Sequence, residues 1–197
     1  MIGMMGTFID TIVICTMTAL AIMVTGVWTS GASGAALSAA AFETAMPGVG
    51  EEILALEGVF SDESGDHPAG TYLRNPPGSA HAPFSREGCV LFVKLWQFTA
   101  GDTAPLRLDT RAGEWRQGLV PGLTVLPMHS HDGIDTALVR WAPHTRFQPH
   151  THPGGEEILV LQGVCSDCLC PCTAGRSPRR PRRSQRAPLT EAERAPL

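Results

Sequence analysis

His150, His152 and Glu156 have residue types and a spacing that could bind a transition metal. Alternate side chains of an extended strand lie on the same face, so His150 and His152 share a face. The turn-forming residues 153–155 and the apolar run 158–161 predict a hairpin with a buried return strand. This hairpin would bring Glu156 beside the two imidazoles, and two neutral nitrogens with one carboxylate favour a divalent first-row metal. The alternative is a polar hairpin that binds no metal.

A second pattern supplies a further candidate ligand, His81. Gly70 is followed by Pro76, Pro77, Gly78 and then His81. Together the two patterns resemble the two motifs of the cupin superfamily, although the second motif comes first in this chain. The resemblance implies that His81 is the fourth metal ligand. The alternative is a loop imidazole that caps a turn.

The residues around the motifs narrow the resemblance. Segments 51–63 and 69–79 look like the ChrR-type cupin domain, and the likeness covers about residues 50–164. That family includes the zinc-binding C-terminal half of ChrR-type anti-sigma factors and free-standing double cupins. The resemblance therefore implies a small β-barrel with a divalent transition metal, for which zinc is favoured and iron or manganese are alternatives.

The chain contains an internal repeat. Residues 50–59 recur as residues 155–164, at an offset of 105 positions, and repeats of this kind indicate duplicated units. The same offset maps His150 to Ala45 and His152 to Pro47. The first copy therefore lacks the H-x-H arm and retains only Glu51 and His81.

The first 50 residues have a different composition. Residues 11–28 carry no charged side chain, and as a helix they would be about 27 Å long, close to the thickness of a bilayer core. We therefore predict a mostly helical, membrane-associated segment over residues 10–42; the alternative is a buried helix of a soluble protein. Residues 6–20 and 41–50 also resemble an internal stretch of sodium:alanine symporters, which implies a membrane tendency and not a transport activity.

The last 33 residues also differ from the rest of the chain. They contain four cysteines, at 165, 168, 170 and 172, and then a Pro/Arg tract over residues 176–186. Such a tract cannot build an apolar core, so we predict a disordered and dispensable tail. A thiolate metal site and a nucleic-acid contact are the alternatives, and we predict no specific nucleic-acid partner.

A second H-x-H pattern, His129-Ser130-His131, is followed by Asp135. It lacks the glycine that follows Glu156 at the corresponding distance, since Ala142 stands there. We interpret it as an exposed loop without a metal.

These features predict a mainly β protein with a cupin-like barrel or sandwich, that is, a partial double cupin. A helical segment (1–49) precedes the first cupin copy (50–98), a crossover (99–118), a truncated second copy (119–164) and the tail (165–197). Each copy has what the other lacks. We therefore also consider one barrel closed from both copies, in which His81 joins His150, His152 and Glu156 in one site.

The favoured function is a metal-binding cupin with a regulatory or sensing role. The alternatives are a metal-dependent cupin enzyme of the oxygenase or isomerase class and a membrane protein fragment, so enzymatic activity stays open. A cytoplasmic cupin part, tethered by residues 10–42, follows from the absence of basic residues before Arg74. Homo-oligomerisation and a small-molecule ligand of unknown identity are left open.

Overall fold

The computed structural model describes residues 9–14, 20–28, 48–146, 150–151, 155–166, 171–173, 179–180, 185–186 and 189–190. Side chains are described for residues 48–146 and 155–163. All statements about structure below concern these residues.

The described part of the chain is built from strands, without a helix, and every strand pairing is antiparallel. The mainly β fold is therefore confirmed. The strands in chain order are β1 (Ile9–Ile14), β2 (Leu20–Trp28), β3 (Glu51–Asp62), β4 (Gly65–Pro68), β5 (Thr71–Asn75), β6 (Ser85–Leu95), β7 (Leu106–Asp109), β8 (Arg116–Gln117), β9 (Leu123–His131), β10 (Ile134–Trp141), β11 (His150–Thr151), β12 (Glu156–Val160), β13 (Val164–Ser166), β14 (Pro171–Thr173), β15 (Arg179–Arg180), β16 (Gln185–Arg186) and β17 (Leu189–Thr190).

The chain divides into two compact units. The first unit comprises residues 18–113, and the second comprises residues 1–17 with residues 114–197. The first unit contains the first copy of the repeat, and the second unit contains the second copy. The boundary at residues 113/114 lies inside the predicted crossover, which contributes β7 to the first unit and β8 to the second.

The first unit has a sheet with the strand order β2-β6-β3-β5-β7, and β4 pairs with β3 beside it. Alternate residues of β3, β5 and β6 form one apolar cluster because alternate side chains share a face. Gly58, at φ 71°, lies next to the register shift between β3 and β6, and a Cβ there would come within 2.2 Å of the Gly88 carbonyl oxygen. The cluster consists of Ile53, Ala55, Phe60, Leu73, Cys89, Leu91, Val93 and Leu95.

The second unit has a sheet with the strand order β15-β12-β1-β10-β9-β8. Its core cluster consists of Leu123, Val139, Trp141, Ile158 and Val160. Strand β1 lies between β12 and β10 and pairs with both. It occupies the place beside β12 that β6 occupies beside β3, so the N-terminal strand completes the second copy.

The internal repeat extends further than the sequence motif shows. β3 pairs with β4 so that Phe60 faces His67, and β13 pairs with β14 so that Cys165 faces Cys172. β3 pairs with β5 so that Glu52 faces Arg74, and β12 pairs with β15 so that Glu157 faces Arg179. Every one of these pairs is related to its counterpart by the same offset of 105. The two copies therefore share their strand register through residue 190, well beyond the repeat that is visible in the letters.

The helix predicted over residues 10–42 is wrong where the structure describes it, because residues 9–14 and 20–28 are strands β1 and β2. The physical reason is that β-branched residues such as Ile12, Val13, Ile22 and Val24 favour strands. Strands covered on both faces are also apolar throughout, so the absence of charge does not distinguish them from helices. Residues 29–42 lie outside the described residues. In the described part of the chain, no helix is long and apolar enough to cross a membrane.

The disordered tail predicted for residues 165–197 is also corrected where the structure describes it. Four short strands, β14 to β17, pair with β11, β12 and β13 of the second unit. One of these pairings places Arg179 and Arg180 of β15 opposite Glu157 and Glu156 of β12, a favourable arrangement of opposite charges. We therefore no longer expect this segment to be dispensable, and we expect its strand-forming part to stabilise the second unit.

The single barrel considered from the sequence is not the observed arrangement. Strands β3 to β6 of the first copy lie in one sheet, β10 and β12 of the second copy lie in another, and β11 pairs with β16. Each copy instead pairs with a strand from the N-terminal segment: β2 pairs with β6 in the first unit, and β1 pairs with β10 in the second.

A proline scan can test the position of β1. Strand β1 has a neighbour on each side, so the single backbone N–H of Val13 points toward a paired strand whichever side it faces. Val13→Pro must therefore remove a hydrogen bond between strands. We expect its melting temperature to fall by about 5 °C or more, measured by circular dichroism.

The control lies in β2, which is an edge strand. Adjacent residues of a strand direct their N–H groups to opposite sides, so one of Met23→Pro and Val24→Pro removes no hydrogen bond with β6. That variant should melt within a few degrees of the parent protein. Equal losses for Val13→Pro and for both β2 variants would contradict the central position of β1.

Candidate functional site

The loop between β5 and β6 carries His81 and is shaped by a tight turn. The Ser79 N–H donates to the Pro76 carbonyl at 3.0 Å, and Gly78 has φ 86°. This is a turn with proline at its second position and glycine at its third, as a type II turn requires. The Glu63 carboxylate accepts a hydrogen bond from the Ala82 N–H at 2.9 Å, which ties the loop to the hairpin of β3 and β4.

His81 contacts the first glutamate of β3. Its Nε2 lies 2.6 Å from Oε1 of Glu51, and the Asn75 side-chain amide donates to the same oxygen at 2.8 Å. The side chains of His81 and Glu51 are 11% and 12% exposed, so the pair is nearly withdrawn from solvent. Glu51 and His81, the two cupin-motif residues that the first copy retains, are therefore together, and they are bonded to each other.

Asp62 extends this pair into a cluster. One of its oxygens lies 3.0 Å from Nε2 of His67, and the other lies 3.6 Å from Nδ1 of His81 and 3.8 Å from Nη2 of Arg107. The Phe60 ring contacts both imidazoles, with centroid distances of 5.9 Å to His67 and 6.0 Å to His81. We call Glu51, Asp62, His67, Asn75 and His81 the His81 cluster.

The His81 cluster keeps Asp62 ionised. Burial by itself would raise the pKa of this carboxyl, but hydrogen bonds from Ser64 and His67 outweigh burial and lower its pKa to about 2. An aspartate held in this way is a fixed negative charge between the two imidazoles across the ordinary pH range.

A second buried network lies on the next residues of the same strands. The Arg74 guanidinium, 1% exposed as a residue, donates Nε to Glu52 at 2.7 Å and both terminal nitrogens to Asp102 at 3.0 and 2.8 Å. It also stacks on the Phe98 ring, 4.3 Å from the centroid. Burial would lower the pKa of Arg74, but its bonds with Asp102 and Glu52 outweigh burial and raise it. The alternation of β3 therefore places Glu51 in the His81 cluster and Glu52 in this network.

The first copy does not fit the metal that its motif implies. Glu51 Oε1 and His81 Nε2 bond to each other, and the positions of the two arm histidines hold Ala45 and Pro47, which carry no donor side chain. In the part of the chain with described side chains, no group of three or more His, Cys, Asp or Glu residues could hold a metal.

The second unit carries the other predicted ligands. His150 is on β11 and pairs in register with Arg186 of β16. Glu156 begins β12 and is 3% exposed. His152 and the side chain of His150 lie outside the described residues. Arg186 is the counterpart of His81 at the offset of 105, so this copy has an arginine where the first has its imidazole.

Sequence reasoning missed Asp62, His67 and Arg74, which organise the described part of the site. A signal for Arg74 was present, because the offset of 105 pairs it with Arg179. His67 gave no such signal, since its counterpart is Cys172. The second H-x-H pattern was also placed incorrectly: His129 and His131 end strand β9 and are half-buried, and do not lie in an exposed loop.

Comparison with known families agrees with this duplicated architecture. The family model of the ChrR cupin-like domain matches residues 13–99 and again residues 103–195. The first match includes most of the segment that resembled a symporter, and the second includes most of the cysteine and arginine segment. No curated protein matches the chain.

Two solved structures share the fold. One is a protein provisionally named as a dioxygenase from Nostoc punctiforme, at 13% identity and a TM-score of 0.62, covering 74% of this chain and 59% of that chain. The other is a protein provisionally named as glyoxylate-induced from Pseudomonas aeruginosa, at 13% identity and a TM-score of 0.63, covering 73% of this chain and 62% of that chain. This chain thus spans about three fifths of the length of each. The likeness establishes the fold.

Replacing Arg74 with Met should destabilise the first unit strongly. The change leaves Glu52 and Asp102 buried with their guanidinium partner removed, and such a loss costs about 3–5 kcal/mol. We expect the melting temperature to fall by about 10 °C or more in a calorimetric scan.

The matched control is Arg86→Met. The Arg86 side chain is 69% exposed and lies 3.4 Å from Asp66, whose side chain is 61% exposed. An exposed pair contributes at most about 1 kcal/mol. Similar melting temperatures for the two variants would show that the Arg74 network does not stabilise the fold.

Proposed function

Because the chain belongs to the ChrR cupin-like domain family, we propose that it is a metal-binding cupin protein whose metal site is in the second copy. The ligands would be the imidazoles of His150 and His152 and the carboxylate of Glu156. Zinc is the metal that this donor set and the family favour, with iron or manganese as alternatives.

The observation that carries this proposal is the contrast between the two copies. In the first copy the retained glutamate and histidine bond to each other at 2.6 Å, and donors are missing at both arm positions. The second copy retains the H-x-H arm, and its glutamate is buried at the start of β12. We therefore assign one metal to each chain, and we leave His81 out of the ligand set because its Nε2 is engaged by Glu51.

Arg186 supports a three-ligand site. It stands at the position that corresponds to His81, and a guanidinium stays protonated and does not ligate a cation. A zinc ion with three protein ligands acts as a Lewis acid and takes a fourth ligand from solution. The chain's own contribution would be to hold His150 on β11 opposite β16, with Glu156 at the buried start of β12.

The role that we favour is regulatory. A site with an exchangeable position can respond to a small molecule, and the match to the ChrR family supports sensing over turnover. The second candidate is a metal-dependent oxygenase or isomerase. The open position favours it, as does the fold that the chain shares with a protein provisionally named as a dioxygenase. Self-association and a small-molecule ligand of unknown identity remain open, as the sequence left them.

Metal analysis of purified chain tests the site. We expect about one zinc per chain by plasma mass spectrometry, and loss of most of it in His150→Ala/His152→Ala, because a single carboxylate cannot retain the ion. His129→Ala/His131→Ala is the matched control, since it removes the other H-x-H pattern of the same unit and should leave the zinc content unchanged.

His81→Ala distinguishes this arrangement from a four-ligand site. The proposal expects an unchanged zinc content, and a loss equal to that of the arm variant would instead make His81 a ligand. Iron-loaded protein in an oxygen electrode, supplied with small carboxylic and phenolic compounds, separates the two roles. Oxygen uptake that disappears in His150→Ala/His152→Ala would favour the enzyme.

A further inference from the structure

One pair of facing residues on the first hairpin of the second copy consists of two cysteines. In the first copy Phe60 faces His67 across β3 and β4, and in the second copy Cys165 faces Cys172 across β13 and β14. The register is the same in both copies, so these are equivalent positions. We propose that Cys165 and Cys172 form a reversible dithiol–disulfide pair, a redox modification site that is independent of the metal.

The backbone register satisfies the main geometric requirement for this bond. Directly opposite residues of an antiparallel pair have Cα atoms about 4.5 or 5.5 Å apart. A disulfide spans Cα separations of about 4.4–6.8 Å, so either kind of facing pair lies in range. The register of the two strands therefore permits the bond.

The first copy shows what this register position does when its side chains are described. Phe60 and His67 are 1% and 7% exposed, and their rings stack with centroids 5.9 Å apart. The position therefore brings two side chains into contact on the buried side of the hairpin. In the second copy the same position holds two residues that can be joined covalently.

The other two cysteines of this segment correspond to different surroundings. Cys168 and Cys170 are equivalent to Glu63 and Gly65, which lie in or next to the turn of the first hairpin and are exposed. The repeat therefore singles out Cys165 and Cys172, among the four, as the facing pair.

The oxidant that we name is a hydroperoxide. One thiolate attacks a peroxide oxygen, which gives a sulfenic acid and releases water or an alcohol. The second thiol then displaces the sulfenic oxygen as water, and the sulfur–sulfur bond forms. Two thiols lose two protons and two electrons in all, and the peroxide takes up both to give one water and one further water or alcohol. A dithiol reductant reverses the reaction.

The test uses the full chain and counts thiols by alkylation and mass spectrometry, before and after hydrogen peroxide. Cys168→Ser/Cys170→Ser keeps the proposed pair and should lose two alkylatable thiols, which dithiothreitol restores. Cys165→Ser/Cys172→Ser is the matched control and should lose none. Cys89 is an internal reference, because burial raises the pKa of its thiol and should keep it reduced.

The unsubstituted chain gives an independent readout. Cleavage before Asp167 separates Cys165 from Cys172, so the two peptides remain joined only if a disulfide links them. Fragmentation of the joined species should assign the bond to Cys172. A bond from Cys165 to Cys168 or Cys170 would overturn the proposal. Thiols that resist alkylation until a chelator is added, without loss to peroxide, would overturn it in favour of a thiolate metal site.

Discussion

Buried charge on the central strands of the first unit has to be neutralised inside the sheet. Glu52 lies opposite Arg74 on one side and Lys94 on the other, and Arg74 also binds Asp102 through both terminal nitrogens. A buried charge without a partner costs several kcal/mol, so these residues must fold in one register or not at all. The register in turn fixes the neighbouring residues of the same strands, Glu51 and Asn75, in the His81 cluster. The position of His81 therefore depends on the ion pair behind it.

The second copy repeats this constraint in part. Glu157 lies opposite Arg179, as Glu52 lies opposite Arg74, but the third position is Ile14 of β1 in place of Lys94. The retained pair explains how an arginine-rich segment can belong to the barrel-forming part of the chain. Its arginine positions lie opposite glutamate positions of β12 in the strand register, whereas composition alone suggested a solvated tail.

Much of the β-structure could be predicted from the sequence, and the two terminal segments could not. Glycines such as Gly50 and Gly155, at φ 71° and 86°, mark the start of the repeated strand in both copies and are visible in the letters. The helix predicted over residues 11–28 was wrong because an uncharged run is typical of a helix in lipid and equally of a strand covered on both faces. The prediction of a disordered tail was wrong because strands that pair through the backbone need no alternation of apolar and polar residues, and this segment shows none. Applying the offset of 105 to Arg74 would have found the second pairing, since Arg179 lies at that position.

The ligand residues could be predicted as types, but their state could not. A spacing shows that Glu51 and His81 can approach each other, yet a metal-binding pair and a hydrogen-bonded pair have the same letters. The two copies differ at the H-x-H positions, where the first copy has Ala45 and Pro47, which carry no ligand atoms. In that copy the imidazole of His81 contacts the carboxylate of Glu51. Asn75 then donates to the same carboxylate oxygen, and Asp62 Oδ2 lies 3.6 Å from the other imidazole nitrogen. These contacts occupy donor atoms that a metal in the first copy would need, and in the second copy Arg186 stands at the position of His81 and cannot donate a lone pair to a cation.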